Sequence, residues 1–303
     1  MFARPQNKQA TGATPSRWAK LPISLRAIVS GLFLAIVSLN VWPVLLVILP
    51  VPLAAFAEVA FLLFFLWWAG GEGPPHSTKS DRAASFRSGE LSIMRWVWGL
   101  SAALFFAVTV HASIVLLFRF VPFPVAAFRN GYDLSFIHSQ FLKWTAILIS
   151  AVSAGICEEI GFRGYMQQPI EQRSGVLPAV LISSLFFMAV HLTKAWATLG
   201  MIPIVFGAGL LLGFLAWSAG SLLPGIIGHI VMDVGLFAYW WTGIAGGFSA
   251  RTISQTGMDR PFFIALFTFV VSLGIVLFAI FKLRCMHPIA TQSNSFGCAP
   301  DIP

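Results

Sequence analysis

27-AIVSGLFLAIVSLNVWPVLLVILPVPLAAFAEVAFLLFFLWWA-69 carries one formal charge, Glu58, and no polar break long enough to be a loop. A helix needs ~20 apolar residues to cross a bilayer, so this run is long enough to cross twice. The N-terminus ahead of it is basic and 55-AFA-57 has the small-residue form of a cleavage site, but the run is far too long for the apolar region of a signal peptide. The prolines of 50-PVP-52 stand inside it, and proline ends helices. Two spans meeting at that break are the simplest reading.

The same pattern continues along the chain. Of 303 residues, 57% are hydrophobic and only 10% charged, with a mean hydropathy of +0.83. Soluble domains are near a quarter charged, so the expected class is all-α, a polytopic transmembrane helical bundle. Eight apolar segments stand out, at 27–49, 51–69, 96–118, 143–168, 177–197, 199–219, 222–245 and 261–283. The connectors 70–95 and 119–142 are rich in turn formers and charge. No repeat or second domain is visible. The chain divides into a polar basic tail (1–22), three N-terminal spans with connectors (23–142), a membrane core (143–245), a last span (246–284) and a C-terminal tail (285–303).

A net charge of +8 can signal nucleic acid, but here the basic residues are dispersed through loops and not gathered on one face. They read instead as topology signals. With the N-terminus inside, only Arg119, Arg129, Lys143, Lys194, Arg251 and Arg260 of the 19 lysines and arginines fall outside, which favours eight spans with both termini cytoplasmic. Cys157, Cys285 and Cys298 have no metal or redox spacing and suggest no disulfide framework. Cys298 is sixth from the end, so the tail is not itself a prenylation box.

Ionisable groups inside spans are costly and point to function. They are Glu58, His111, Glu158, Glu159, Arg163, His191, His229 and Asp233. Glu158 and Glu159 follow the apolar run 146-AILISAVSAGI-156. Adjacent helix positions point about 100° apart, so one partner cannot cancel both acids. Glu159 and Arg163, four apart, can pair on one face, which leaves Glu158 facing elsewhere. The alternative is a cytoplasmic loop in which both acids pair with Arg163 and Arg173. His191, in 183-SSLFFMAVHLTK-194, is a site residue or an interfacial or core histidine. His229 and Asp233, in 228-GHIVMDVG-235, share a helix face, as a site or as a structural pair. Glu58 and His111 each stand alone in a span, where an inter-helix hydrogen bond or a neutral glutamate is the simpler reading. Cys157 beside Glu158 reads as a small buried packing residue ahead of a nucleophile.

Depth links the set. With 1.5 Å rise per residue from cytoplasmic ends at Gln168, Leu177 and Leu222, Glu158 lies roughly 15 Å up, His191 roughly 21 Å, His229 roughly 10 Å and Asp233 roughly 16 Å. Groups scattered for structural reasons alone have no cause to share a level. A carboxylate and a neutral imidazole converging on one water can deprotonate it, and a second imidazole with a partner can donate to an oxyanion. That suffices for peptide hydrolysis without a covalent intermediate. The same residue types can hold zinc, but the H-E-x-x-H signature is absent, so metal is the lesser option and no cofactor is expected.

Glu158-Glu159-x-x-x-Arg163, Phe187-x-x-x-His191 and His229-x-x-x-Asp233, in this order on three helices, resemble the CPBP family over roughly 143–245. That family includes the CAAX prenyl endopeptidases and bacterial bacteriocin-processing and immunity homologues. The resemblance implies an intramembrane glutamate-dependent endopeptidase. In it Glu158 would be the catalytic base acting with His191 on water, His229 and Asp233 would stabilise the oxyanion, and Glu159 and Arg163 would brace the helix. Asparagine often fills the position of Asp233, although the family tolerates either. An ionised aspartate cannot donate, so Asp233 is either protonated or orients His229. The implied substrate is a membrane-associated or lipidated peptide, the implied surroundings membrane lipid, and the expected place a bacterial plasma membrane. Two other classes stay open: a non-catalytic membrane protein of immunity or transporter-like type, and a zinc-dependent membrane protease.

Overall fold

The structure, a computed structural model, describes residues 17–194 and 198–286. Most of both expected tails, including Cys298, and the end of the fifth apolar segment lie outside the described residues.

The architecture is all-α. Helices α1 (Ile23–Ile48), α2 (Val51–Ala69), α3 (Ile93–Phe120), α4 (Gln140–Ser174), α5 (Val176–His191), α6 (Met201–Ala219), α7 (Leu223–Trp241) and α8 (Arg260–Cys285) take up the eight apolar segments in order. Seven are long and apolar enough to cross a membrane, and α5, with 16 residues, is the shorter one. The fifth segment was expected to stay helical through 197. It ends at His191 because the chain turns back on itself there, Leu192 N bonding to Ala189 O and Lys194 N to His191 O. The fourth segment is longer than expected and runs without interruption from Gln140 to Ser174.

Sequence chemistry sets the helix starts. Ser92, Ser139 and Asp259 accept hydrogen bonds from the first-turn amides of Arg95, Leu142 and Phe262, capping α3, α4 and α8. Pro52, Pro224 and Pro261 sit in the first turns of α2, α7 and α8, where a missing N–H costs nothing. The turn between α4 and α5 is the single residue Gly175, with φ of +86°, a conformation residues with a Cβ rarely adopt.

Helix α4 is the centre of the bundle. Of its most apolar window 72% is buried, against 28% for α1, α2 and α8. Helices α1, α2, α5 and α7 pack around it, while α8 lies along α3 and α5 along α6. Helices α1 and α4 approach closely. A Cβ on Gly161 would stand 2.7 Å from Ala35 Cβ and 2.8 Å from Gly31 O, so the backbones meet only because both positions are glycine. The outward faces of α1, α2 and α8 carry exposed Phe33, Phe56 and Phe267, the surface a hydrocarbon solvent favours.

Helix α4 leaves α geometry at one place. Over Glu159–Gln167 it is wound as a π-helix, whose hydrogen bonds span five residues in place of four. Such insertions cluster at functional sites because they re-aim side chains. Cys157 is a buried free thiol.

Candidate active site

Glu158 is the last residue of the α-wound part of α4 and Glu159 the first of the π-wound part. Both are buried, at 6% and 0% exposure. Their partners are Arg163 on α4 itself, for Glu159, His191 on α5, for Glu158, and His229 on α7, which lies near both.

Glu159 is the anchored acid. Its Oε1 accepts from Arg163 Nη1 at 2.9 Å and from His229 Nδ1 at 3.0 Å. Arg163 is fully buried, donates from Nη2 to Gly209 O on α6 at 3.3 Å, and lays its guanidinium 4.3 Å from the centre of the Phe187 ring. A buried charge needs a partner and hydrogen bonds, and Arg163 has both. The expected Glu159–Arg163 pair is present, with His229 joined to it.

Glu158 is the unanchored acid. Its Oε2 is buried and makes no hydrogen bond. It lies 3.9 Å from His191 Nε2 on α5 and 3.9 Å from His229 Nε2 on α7. Asp233 Oδ2 lies 3.7 Å from the same His229 Nε2. These separations exceed hydrogen-bond length, so the polar atoms of four side chains face one another without closing direct bonds.

Hydrogen bonding sets the donor pattern of both imidazoles. His191 Nδ1 is 2.6 Å from Phe187 O, and a carbonyl only accepts, so Nδ1 carries the proton. In its neutral form His191 therefore turns the Nε2 lone pair toward Glu158. His229 Nδ1 donates to Glu159, which turns its Nε2 toward Glu158 and Asp233. The Nδ1 hydrogen bond of His229 is thus made to Glu159 and not to Asp233. Asp233 stands at the other nitrogen.

Phe187, quoted in the second motif but given no role there, is the packing hub. Its ring lies 4.6 Å from that of His191, 5.9 Å from His229 and 5.4 Å from Phe162. The four-residue spacing of Phe187 and His191 was the available signal, since it places the Phe187 carbonyl within reach of the imidazole.

Glu58 and His111 stand apart from this cluster and make inter-helix bonds. Glu58 Oε1 accepts from Ser153 Oγ at 2.7 Å, joining α2 to α4. His111 Nε2 bonds to Met232 O at 3.2 Å, and its Nδ1 accepts from Trp240 Nε1 at 3.0 Å, joining α3 to α7. Cys157 is fully buried on the side of α4 that faces Leu34 and Leu62. Among the described residues no group of three or more His, Cys, Asp or Glu is arranged to hold a metal ion.

No curated protein and no solved structure matches the chain. A family model described as type II CAAX prenyl endopeptidase Rce1-like matches residues 140–235, from the start of α4 to Gly235 of α7. The matched stretch contains Glu158, Glu159, Arg163, Phe187, His191, His229 and Asp233. At the level of the family it supports a CAAX-type intramembrane protease, and the apolar helices make the chain an integral multi-pass membrane protein. Over residues 140–235, about a third of its length, the chain is similar to the Rce1-like type II CAAX prenyl endopeptidases.

Proposed function

We propose that the chain is a glutamate-dependent intramembrane endopeptidase that hydrolyses a membrane-associated peptide by Glu158/His191-activated water. The observation that carries this reading is the position of Glu158 Oε2, 3.9 Å from the Nε2 atoms of both His191 and His229. A water placed between Glu158 and His191 lies within hydrogen-bond length of both.

Glu158 takes one proton from that water while His191 Nε2 accepts a hydrogen bond from the other. The water oxygen bonds to the scissile carbonyl carbon, and the carbonyl π electrons move to its oxygen. His229 donates from Nε2 to that oxyanion. This requires both of its nitrogens to be protonated, with Glu159 the counter-charge at Nδ1. Asp233, beside the same Nε2, is a second donor when it carries its own proton. Collapse of the intermediate breaks the C–N bond, and the proton held by Glu158 passes to the leaving amine. Glu159 and Arg163 touch no reacting atom and act by holding His229 and the π-wound turn.

The family supports a CAAX-type substrate, a peptide presented at the membrane near its C-terminus. The test is cleavage of a farnesylated CAAX peptide and of its unlipidated counterpart by purified full chain in proteoliposomes. Glu158→Gln and His191→Ala should each lower kcat by ~10³-fold or more with the fold retained. Full cleavage by either variant would sink the proposal. Loss of activity with EDTA, restored by zinc, would replace it with the metal reading.

A further inference from the structure

Far along α4 from Glu158, the last turn of that helix borders a pocket of about 290 Å³. Its lining includes Arg87, Gln168, Glu171, Gln172, Trp217 and Arg284. Gln168, Glu171 and Gln172 belong to the last turns of α4, Trp217 to the end of α6 and Arg284 to the end of α8. Arg87 comes from the connector before α3. Helix ends meet here, so the pocket sits at the rim of the bundle.

Two features mark it as built. Arg87 is the one non-glycine among the described residues with positive φ, +46°. Such backbone persists only where the surroundings enforce it, and it clusters at binding sites. Here Leu222 N bonds to Arg87 O, Arg87 Nη1 donates to Ala216 O at 3.4 Å, and Nη2 pairs with Glu171 Oε2 at 2.6 Å. The side chain is buried, and its Nε has no partner. Arg284 is the second feature. Its guanidinium lies 4.7 Å from the centre of the Trp217 ring, and among the described residues no carboxylate pairs with it. Stacking on an aromatic face holds a guanidinium flat with its N–H edge free to donate.

Two guanidiniums against one carboxylate leave the pocket net positive, with the amides of Gln168 and Gln172 as further donors. We propose that this pocket binds a phosphate anion between Arg284 and Arg87, presented by a lipid headgroup or free in solution. Planar guanidinium forks match phosphate oxygens, and basic pockets at the ends of membrane helices suit anionic headgroups. Glu171 is the built-in competitor, because it occupies the Arg87 fork that the anion would share. The site lies outside the proposed catalytic cluster and does not depend on that reading.

The test is the thermal unfolding of the full chain in uncharged detergent, titrated with short-chain phosphatidylglycerol, short-chain phosphatidylcholine or inorganic phosphate. Each variant is compared with its own ligand-free Tm. Phosphatidylglycerol should raise Tm saturably. Arg284→Gln should weaken the apparent Kd about tenfold, and Glu171→Gln should tighten it about threefold or more. A larger effect of phosphatidylglycerol than of inorganic phosphate assigns the site to lipid, and an equal effect assigns it to free phosphate. The proposal is overturned if neither anion gives a saturable shift. It is equally overturned if the shift is the same in both variants, or if phosphatidylcholine reproduces it in all three proteins.

Discussion

His229 Nδ1 hydrogen-bonds to Glu159 on α4, at 3.0 Å, and not to Asp233 one turn along its own helix. The two neighbouring acids of α4 therefore differ in their hydrogen bonding. Glu159 ties three helices together through Arg163, Gly209 and His229, and Glu158 is left without a hydrogen bond at Oε2.

This separation predicts that stability and activity come apart at Glu159. Glu159→Gln leaves Arg163 buried without its counter-charge, which costs about 3–5 kcal/mol of stability. Adding Arg163→Met removes the stranded charge and should return Tm close to that of the parent, since a buried pair is worth little more than apolar residues of similar size. Activity should stay down by ~10²-fold in the double variant, because the glutamine amide can still accept from His229 Nδ1 but no longer supplies the negative charge that favours a doubly protonated imidazole. Thermal unfolding and peptide cleavage measured side by side decide it. Recovery of both together would reduce Glu159 to a purely structural partner.

Asp233 gives the second prediction. It stands 3.7 Å from the nitrogen of His229 that faces Glu158, where a donor is useful and a second negative charge is not. Asp233→Asn supplies a permanent N–H donor at the same place and should keep kcat within about threefold, while Asp233→Ala should lose ~10²-fold, the effect of removing one oxyanion donor. A dead asparagine variant that folds would show that the carboxylate charge itself is needed.

These relationships were only partly legible in the sequence. The eight apolar runs were readable because a crossing helix needs a fixed length of apolar chain. The convergence of Glu158, His191, His229 and Asp233 was readable because helix rise converts residue number into depth. The bond from His229 to Glu159 was not. Spacing rules within one helix name Arg163 as the partner of Glu159, and they are silent about donors from other helices. Nor does composition announce the π-wound turn over Glu159–Gln167, which changes the angular step that the α-helical reading assumed. The early end of α5 at His191 was also hidden, since Leu192 continues the apolar run and the turn bonds that stop the helix leave no compositional trace.

Packing supplies a third prediction. Alanine is the better helix former by about 1 kcal/mol, so a glycine-to-alanine change in open space should stabilise. Gly274 on α8 is such a place, with nothing within 4 Å of an added Cβ. Gly161 is the opposite case, its added Cβ standing 2.7 Å from Ala35 Cβ. Gly161→Ala should therefore lower Tm by overpacking of about 1–3 kcal/mol, while Gly274→Ala raises Tm or leaves it unchanged. Equal responses at the two positions would mean that α1 and α4 are not in backbone contact.

The last prediction concerns acid. Asp259 precedes α8 outside the membrane-spanning segments, where Oδ1 pairs with the buried Arg119 at 2.8 Å and accepts from Phe262 N at 3.1 Å. The Arg119 hydrogen bond is the main cause that holds its carboxyl below the ordinary 3.8, with a smaller opposing effect of burial and a further lowering from the Phe262 amide. A carboxyl with a depressed folded-state pKa binds its proton more weakly in the folded chain than in the unfolded one. Its stabilising effect is therefore complete above the ordinary carboxylate range and is lost as pH falls below 3.8 and through the folded-state value. Tm of the parent should hold steady down to about pH 5 and then fall. Asp259→Asn keeps a capping oxygen but no charge, so its Tm should be lower at neutral pH and should approach the parent curve in acid. Parallel curves across the whole range would show that Arg119 does not depend on Asp259 for its counter-charge.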